Sequence, residues 1–406
     1  MPKYFVTGLC LQGNKGGPAL ALSLVSEIRR HIPDAEFVFE VPSAPEEWPH
    51  EVNWSHKYKF EIIKRIRLKN ILPPYCFIRG RLSECKVWWK TLKSSDVLIQ
   101  MSAICYVGPP AGAGSFSALI NSPRVLHLFL AWAAFKPMLA WTQSYGPLST
   151  KLIRAFAKLD LRRQPVIFCR GDDCKSSIEE LLPKARVLSF PDVAIKLPFD
   201  KKWGKIYVEN NFSCEKKIVT VSPSAVLYSR CKFSDSKNRH IGQIRKICDS
   251  LYKAGYHVLL IPHTFRPSNE SPVVCDYAVC KIIYEAEESP NLSILEDDLS
   301  PSQLKSIISG AHFHVGARYH SVVAALSSNV PAISLSWHPK YRDLMTMYGM
   351  EDYLLDEGEE HRVSALIRKI DFEYGVLRKK ICKRKEGNML LVDDNVKLFV
   401  KLLKNI

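Results

Sequence analysis

The residues best placed to do chemistry lie in Gly316-Ala-Arg318-Tyr-His320-Ser321. The preceding strand is expected to end near Val315 and a helix to begin near His320, so these side chains stand at a strand's carboxyl end. A guanidinium there can clamp a carboxylate or phosphate through two parallel hydrogen bonds. An imidazole can move a proton near neutral pH. Arg318 and His320 are the catalytic candidates, and Ser321 beside them is a substrate-binding candidate. The alternative use of the same residues is a structural salt bridge and a loop-filling histidine.

A second locus is the first strand-to-helix turn, with Gly8, Gly13, Asn14, Gly16 and Gly17. Glycines let a ligand approach the backbone and leave N–H groups free at a helix start, which suits an anion. Asn14 and Gly16 are taken as binding candidates, against a tight turn with nothing bound. The loop is neither G-x-G-x-x-G nor a Walker A loop. His263 closes the strand HVLLIPHT, Arg170 closes PVIFCR, and Lys340 follows the strand PAISLSW. Each is a further substrate-binding candidate, with local pairing or plain surface exposure as the alternative. No metal is expected: His312 and His314 alternate along a strand, but no third ligand accompanies them. No G-x-S-x-G elbow supports hydrolase chemistry.

These residues need elements to hold them. KYFVTGL (3–9), AEFVFEV (35–41), SDVLIQ (95–100), MLAWTQS (138–144), PVIFCR (165–170) and ARVLSF (185–190) read as strands. Helices are expected over 18–32, 61–72, 123–135, 149–161 and 174–182. EIIKRIRLKNIL (61–72) is read as basic and amphipathic, ending before Pro73-Pro74. PRVLHLFLAWAAF (123–135) is strongly apolar and reads as a buried or interface-lying helix. GPPAGAG (108–114) reads as a loop, as does the charged stretch 196–216. A second alternation follows: strands at 217–226, 257–264, 312–318 and 331–337, and helices at 239–256, 299–311 and 321–330. Such order means parallel sheets with helices on their faces. The expected fold is therefore α/β, with two Rossmann-like parallel-sheet domains facing a cleft. The domains are read as 1–205 on the acceptor side, 206–355 on the donor side, and 356–406 as basic C-terminal helices packing on the body. Ligands of such folds sit outside the carboxyl ends of the strands.

Charge narrows the partners. Among 406 residues, 57 Lys/Arg oppose 41 Asp/Glu, a net +16. Residues 57–93 hold 11 Lys/Arg against 2 Asp/Glu, and residues 362–385 hold 9 against 2. The rest of the chain is neutral. Two basic segments on a balanced body favour an anionic partner, such as acidic lipid head groups, a lipid-linked diphosphate or an acidic polysaccharide. No nucleic-acid motif is present, so nucleic acid is not expected. The 12 cysteines are scattered without C-x-x-C pairs, which reads as free thiols in a reducing compartment. The N-terminus reads as a strand entering a glycine loop rather than a leader, and no apolar run is long enough to span a bilayer. A cytoplasmic protein, peripheral at the membrane, is expected.

The ordered segments GNKGGPAL, QSYGPL (143–148), FCRGDDCKSSIEELL (168–182), FPDVAI (190–195), LLIPHT (259–264) and GARYHSVVAALSSNVPAISLSWHPKYRDLM (316–345) resemble the polysaccharide pyruvyl transferase family. They run from residue 8 to about 355. The last block is the most specific. One position departs: the family usually reads G-N-x-G-D, and Gly17 stands where the aspartate would be. The resemblance implies a GT-B-like fold. It also implies transfer of the enolpyruvyl-derived group of phosphoenolpyruvate to a sugar of a polysaccharide, such as an exopolysaccharide, or of a lipid-linked oligosaccharide. Phosphate is released and a pyruvate ketal forms. No cofactor is implied, and phosphoenolpyruvate is the donor substrate. His320 would donate the proton and Arg318 would hold the donor. Residues 57–93, with Trp88-Trp89 among lysines, and 362–385 would meet an anionic membrane surface.

Two other functions suit the same pattern. One is a GT-B glycosyltransferase using a nucleotide sugar, for which Glu351 and Glu359 have a Glu-x₇-Glu spacing. The other is a non-catalytic sugar-binding relative.

Overall fold

The computed structural model describes residues 1–42, 49–66, 81–106, 123–212, 215–231, 233–234, 237–266, 271–287 and 289–406. The chain divides into two compact units. One holds residues 1–12, 20–193 and 391–406, and the other holds 13–19 and 194–390. Where the sequence suggests three consecutive blocks with a boundary at 205, three segments change unit, and residues 194–205 belong with the later one. The glycine loop belongs with the later unit, and the last sixteen residues belong with the earlier one.

In the first unit, β1 (Lys3–Thr7), β2 (Glu36–Val41), β3 (Glu61–Lys64), β4 (Val97–Gln100) and β5 (Met138–Ala140) form a parallel sheet in the order β3-β2-β1-β4-β5. β1 and β4 are buried throughout their centres, as strands covered on both faces must be. A parallel bridge from Gln143 to Cys169 leads on to a second parallel pair, β6 (Ile167–Arg170) and β7 (Val187–Phe190).

The helices of this unit are α1 (Gly16–Arg29, which begins in the other unit), α2 (Pro49–Tyr58), α3 (Arg81–Ser94), α4 (Pro123–Ala133), α5 (Lys151–Leu161) and α6 (Asp172–Leu181). Two local expectations change here. The segment read as the start of a basic helix at 61 is the edge strand β3, whose Val38–Glu61 register extends the sheet. Positions 67–72 of that expectation, and the loop 108–114, lie outside the described residues. Trp88 does not face a membrane: it is buried, edge-on to Phe5 and stacked on His127 at 5.8 Å.

The second unit repeats the plan. β8 (Ile218–Ser222), β9 (His257–Leu260), β10 (Leu292–Ile294), β11 (His314–Gly316), β12 (Ala332–Leu335) and β13 (Leu354–Leu355) are parallel in the order β10-β9-β8-β11-β12-β13. This is the 3-2-1-4-5-6 order of a Rossmann sheet, whose switch point lies between β8 and β11.

Its helices are α7 (Lys201–Asn211), α8 (Ala225–Arg230), α9 (Arg239–Lys253), α10 (Asp276–Glu285), α11 (Pro301–Ile308), α12 (Tyr319–Ser327), α13 (Lys340–Tyr348) and α14 (Val363–Lys404). Ser300 caps α11 in a full capping box with Gln303, as the Ser-Pro start predicts. The stretch 201–211, read as loop, is helical. It starts at an Asp200 cap and presses Gly204 onto the backbone of Ser306 in α11. No helix among the described residues is long and apolar enough to cross a membrane.

Candidate active site

The second unit gathers its polar groups where β9 and β11 end. Residues 13–15 run antiparallel to 263–265. Asn14 bridges Thr264, the Lys15 N–H donates to the His263 carbonyl at 2.9 Å, and the Phe265 N–H donates to the Gly13 carbonyl at 3.0 Å. Gly13 has φ +64°, which a glycine adopts without strain. Asn14 accepts from the Gly16 N–H at 3.0 Å and so turns the chain into α1.

Gly16 is then in direct contact with His320. A Cβ at Gly16 would lie 2.2 Å from His320 Nδ1. His320 itself sits in the first turn of α12, one residue after its start. Two helix N-termini thus converge on one half-buried imidazole. Both carry the positive partial charge of a helix start, which favours an anion.

Arg318 precedes α12 and is half-buried. Its Nε donates to Asp276 at 2.7 Å, and its Nη2 donates to the other carboxylate oxygen. Asp276, at the start of α10, also accepts from the Ala225 N–H at 2.7 Å. Burial pulls the Arg318 pKa down, and the Asp276 charge more than offsets it, so the guanidinium stays charged. The fork read as a donor clamp is therefore closed on Asp276, which leaves the outer edge of the guanidinium.

Ser321 does not face a ligand. It is buried, donates to the Arg318 carbonyl at 2.8 Å and meets His314 Nε2 at 2.8 Å, while His314 Nδ1 meets Thr220 at 2.9 Å. Burial lowers the His314 pKa to about 3, so this histidine is neutral and fixes the loop. His312 instead stacks on Tyr374 at 4.1 Å and bonds Asp371 at 3.2 Å, so the two histidines do not converge. Among the described residues, no group of three His, Cys, Asp or Glu could hold a metal.

His263 is buried under the loop, and its Nδ1 has no hydrogen-bond partner. Burial and the nearby His314, His320, Arg318 and Lys15 hold its pKa well below the ordinary value, so it is neutral. His263, His320, Lys15 and Lys305 line a cavity of about 20 Å³, room for about one water. Lys15 is buried and paired with Asp298. Lys305 donates to the carbonyls of Ile195 (3.0 Å) and Leu197 (2.9 Å), and burial lowers its pKa to about 7.

Lys340 is buried among rings, with Nζ 5.0 Å from Tyr319, 5.0 Å from Trp337 and 5.6 Å from Tyr341. Its charge supports the loop through Tyr319, which packs edge-on to His320 at 5.3 Å. Arg170 belongs to the first unit, buried and bonded to Asp192, Ser144 Oγ (3.1 Å) and the Ala103 carbonyl. This is a structural role in place of the ligand contact read from the sequence. Asn14, Gly16, His263, Arg318 and His320 come together; Ser321 and Lys340 support them from behind. Sequence reasoning missed Lys15, Asp276, Asp298 and the supporting role of His314.

Two parallel sheets of Rossmann order make the fold GT-B-like, and solved structures share it. Anabaena HepE in complex with UDP superposes with a TM-score of 0.61 at 10% identity over 100% of both chains. A ugt transferase from Siraitia grosvenorii in complex with UDP gives 0.57 at 12% over 99% of both. The Neisseria meningitidis UDP-GlcNAc 2-epimerase bound to UDP-GlcNAc gives 0.56 at 10% over 100% of both. No protein of curated function matches the chain in sequence. The family model of polysaccharide pyruvyl transferases matches residues 14–339, and the chain belongs to that family, a family of transferases.

Proposed function

We propose that the protein transfers the pyruvyl group of phosphoenolpyruvate to two hydroxyls of one sugar in a polysaccharide or lipid-linked oligosaccharide. The observation that carries this reading is the contact of Gly16 with His320, which seats a half-buried imidazole between two helix N-termini. Phosphoenolpyruvate needs an electropositive seat for its phosphate and carboxylate, and an acid for its methylene carbon. The helix ends and the outer edge of Arg318 supply the first, and His320 the second.

His320 protonates the methylene carbon while a sugar hydroxyl oxygen bonds to C2. The C2–O bond to phosphate breaks, and the phosphate leaves with its electron pair. A second hydroxyl oxygen then bonds to C2 and closes the ketal. Of the two hydroxyl protons, one restores the imidazolium and the other leaves with phosphate. We place the acceptor at an anionic membrane face, in keeping with the net charge of +16.

The test is calorimetry with phosphoenolpyruvate and with UDP, followed by phosphate release in the presence of acceptor. Binding of phosphoenolpyruvate by wild type and by His320→Gln, with release by wild type only, supports the reading. Binding of UDP and not phosphoenolpyruvate overturns it in favour of nucleotide-sugar chemistry.

A further inference from the structure

The first unit carries an aromatic ridge that its own fold does not bury. On α4, Phe129 is 55% exposed and Trp132 68%, and Phe135 just beyond the helix end is 93% exposed. Phe135 also holds φ +53°, a left-handed conformation that costs a bulky residue strain and that glycine normally takes at a helix end. The flanks of α4 are packed. Leu126 and Leu130 join a cluster with Trp88 and Leu92 of α3. Val125 and Leu128 join another with Ile153 and Phe156 of α5. By helical spacing, Phe129 emerges between these two flanks, and Trp132 on the edge that also carries Val125 and Leu128.

The flanking helices are cationic on their outer sides. Lys86, Lys90 and Lys93 of α3 are exposed, as are Lys151 and Lys158 of α5. α4 has no acidic residue, Glu84 of α3 is bonded to Lys64, and Asp160 of α5 is buried. Exposed aromatic residues on a helix whose two packing neighbours both expose lysines match the boundary of an anionic bilayer, where Trp and Phe enter the head-group layer and lysines meet phosphates.

We propose that α4, flanked by α3 and α5, docks this protein on an anionic phospholipid surface, with Phe129, Trp132 and Phe135 entering the interface. The proposal deepens the acceptor half of the pyruvyl-transfer reading. The surface keeps lysines of the 57–93 segment read in the sequence but changes its aromatic residues, since Trp88 is buried and the exposed rings come from 129–135.

Flotation of the full chain with vesicles of phosphatidylcholine, with and without phosphatidylglycerol, tests it. The expected result is retention on the anionic vesicles only, weakened by salt, and reduced more than about tenfold in Trp132→Ser/Phe135→Ser. Circular dichroism should show that variant folded like wild type. No retention on anionic vesicles, or equal retention of the variant, overturns the proposal. So does a dimer in solution that the double variant converts to monomer, because the ridge then belongs to a second copy. Calorimetric binding of phosphoenolpyruvate is read on the same variant without vesicles, so failure of the docking surface and failure of the donor reading are separate results.

Discussion

Gly16 and His320 are 304 positions apart in the chain and fit together with no room for a methyl group between them: a Cβ on Gly16 would lie 2.2 Å from His320 Nδ1. Gly16→Ala must therefore turn the imidazole or shift the loop. The expected stability loss is about 1–3 kcal/mol, with a larger proportional loss of kcat. Steady-state phosphate release and thermal unfolding on the same preparation check both.

His320→Gln keeps the shape of the site and removes the proton donor proposed above. We expect kcat to fall about 100- to 10,000-fold, with phosphoenolpyruvate still bound. Calorimetry and turnover, measured side by side, separate the two effects.

Asp276 is buried, and it holds Arg318 and the Ala225 N–H together. Asp276→Ala leaves a guanidinium without its counter-charge, at a cost of about 3–5 kcal/mol. Urea unfolding measures it.

Stability should fall on acidification before the carboxylates titrate. Burial lowers His314 to about 3 and His240 to about 4, and His263 is held well below 6.5. Above pH 6.5 these groups are neutral folded and unfolded, so their contribution is fully present. Below it the unfolded chain takes up protons first, at about 1.4 kcal/mol per pH unit for each such histidine. Urea unfolding between pH 7 and pH 5 should show this slope, made shallower by His240→Gln.

Two glycines in helices predict opposite signs. A Cβ at Gly204 would lie 2.1 Å from the Ser306 carbonyl oxygen, a backbone atom that cannot move aside, whereas one at Gly242 would meet nothing within 4 Å. Gly204→Ala should destabilise by about 1–3 kcal/mol or more, and Gly242→Ala should stabilise by about 0.5–1 kcal/mol. Paired melting curves decide it.

The Rossmann alternation was legible because buried parallel strands are short apolar runs and their helices carry caps and stripes, as in 257–260 and 301–308. β3 was misread because four residues, Glu61–Lys64, fit both a strand and a helix turn, and only pairing with β2 decides. The helix 201–211 hid behind its charged residues, since its packing rests on a glycine rather than an apolar stripe. At the site, Arg318 and His320 were legible from their place at a strand end. Asp276, Lys15 and Asp298 were not, because a buried ion pair between distant positions leaves no local pattern. Arg170 shows the converse: a strand-end arginine has the local pattern of a ligand contact, and its partner Asp192, 22 positions on, is what makes it structural.

The 42 residues of α14 have a consequence for synthesis. Its last turns complete the first unit's core, where Phe399 packs edge-on to Trp141 at 4.7 Å and Asn395 bonds Thr142 at 2.8 Å. The unit that holds residues 1–12 and 20–193 is thus completed only by residues 391–406, which follow the whole second unit in the chain. A nascent chain stopped at residue 390 holds every residue of the second unit and an unfinished first one, so a stop codon within 391–406 would strike the core of the first unit.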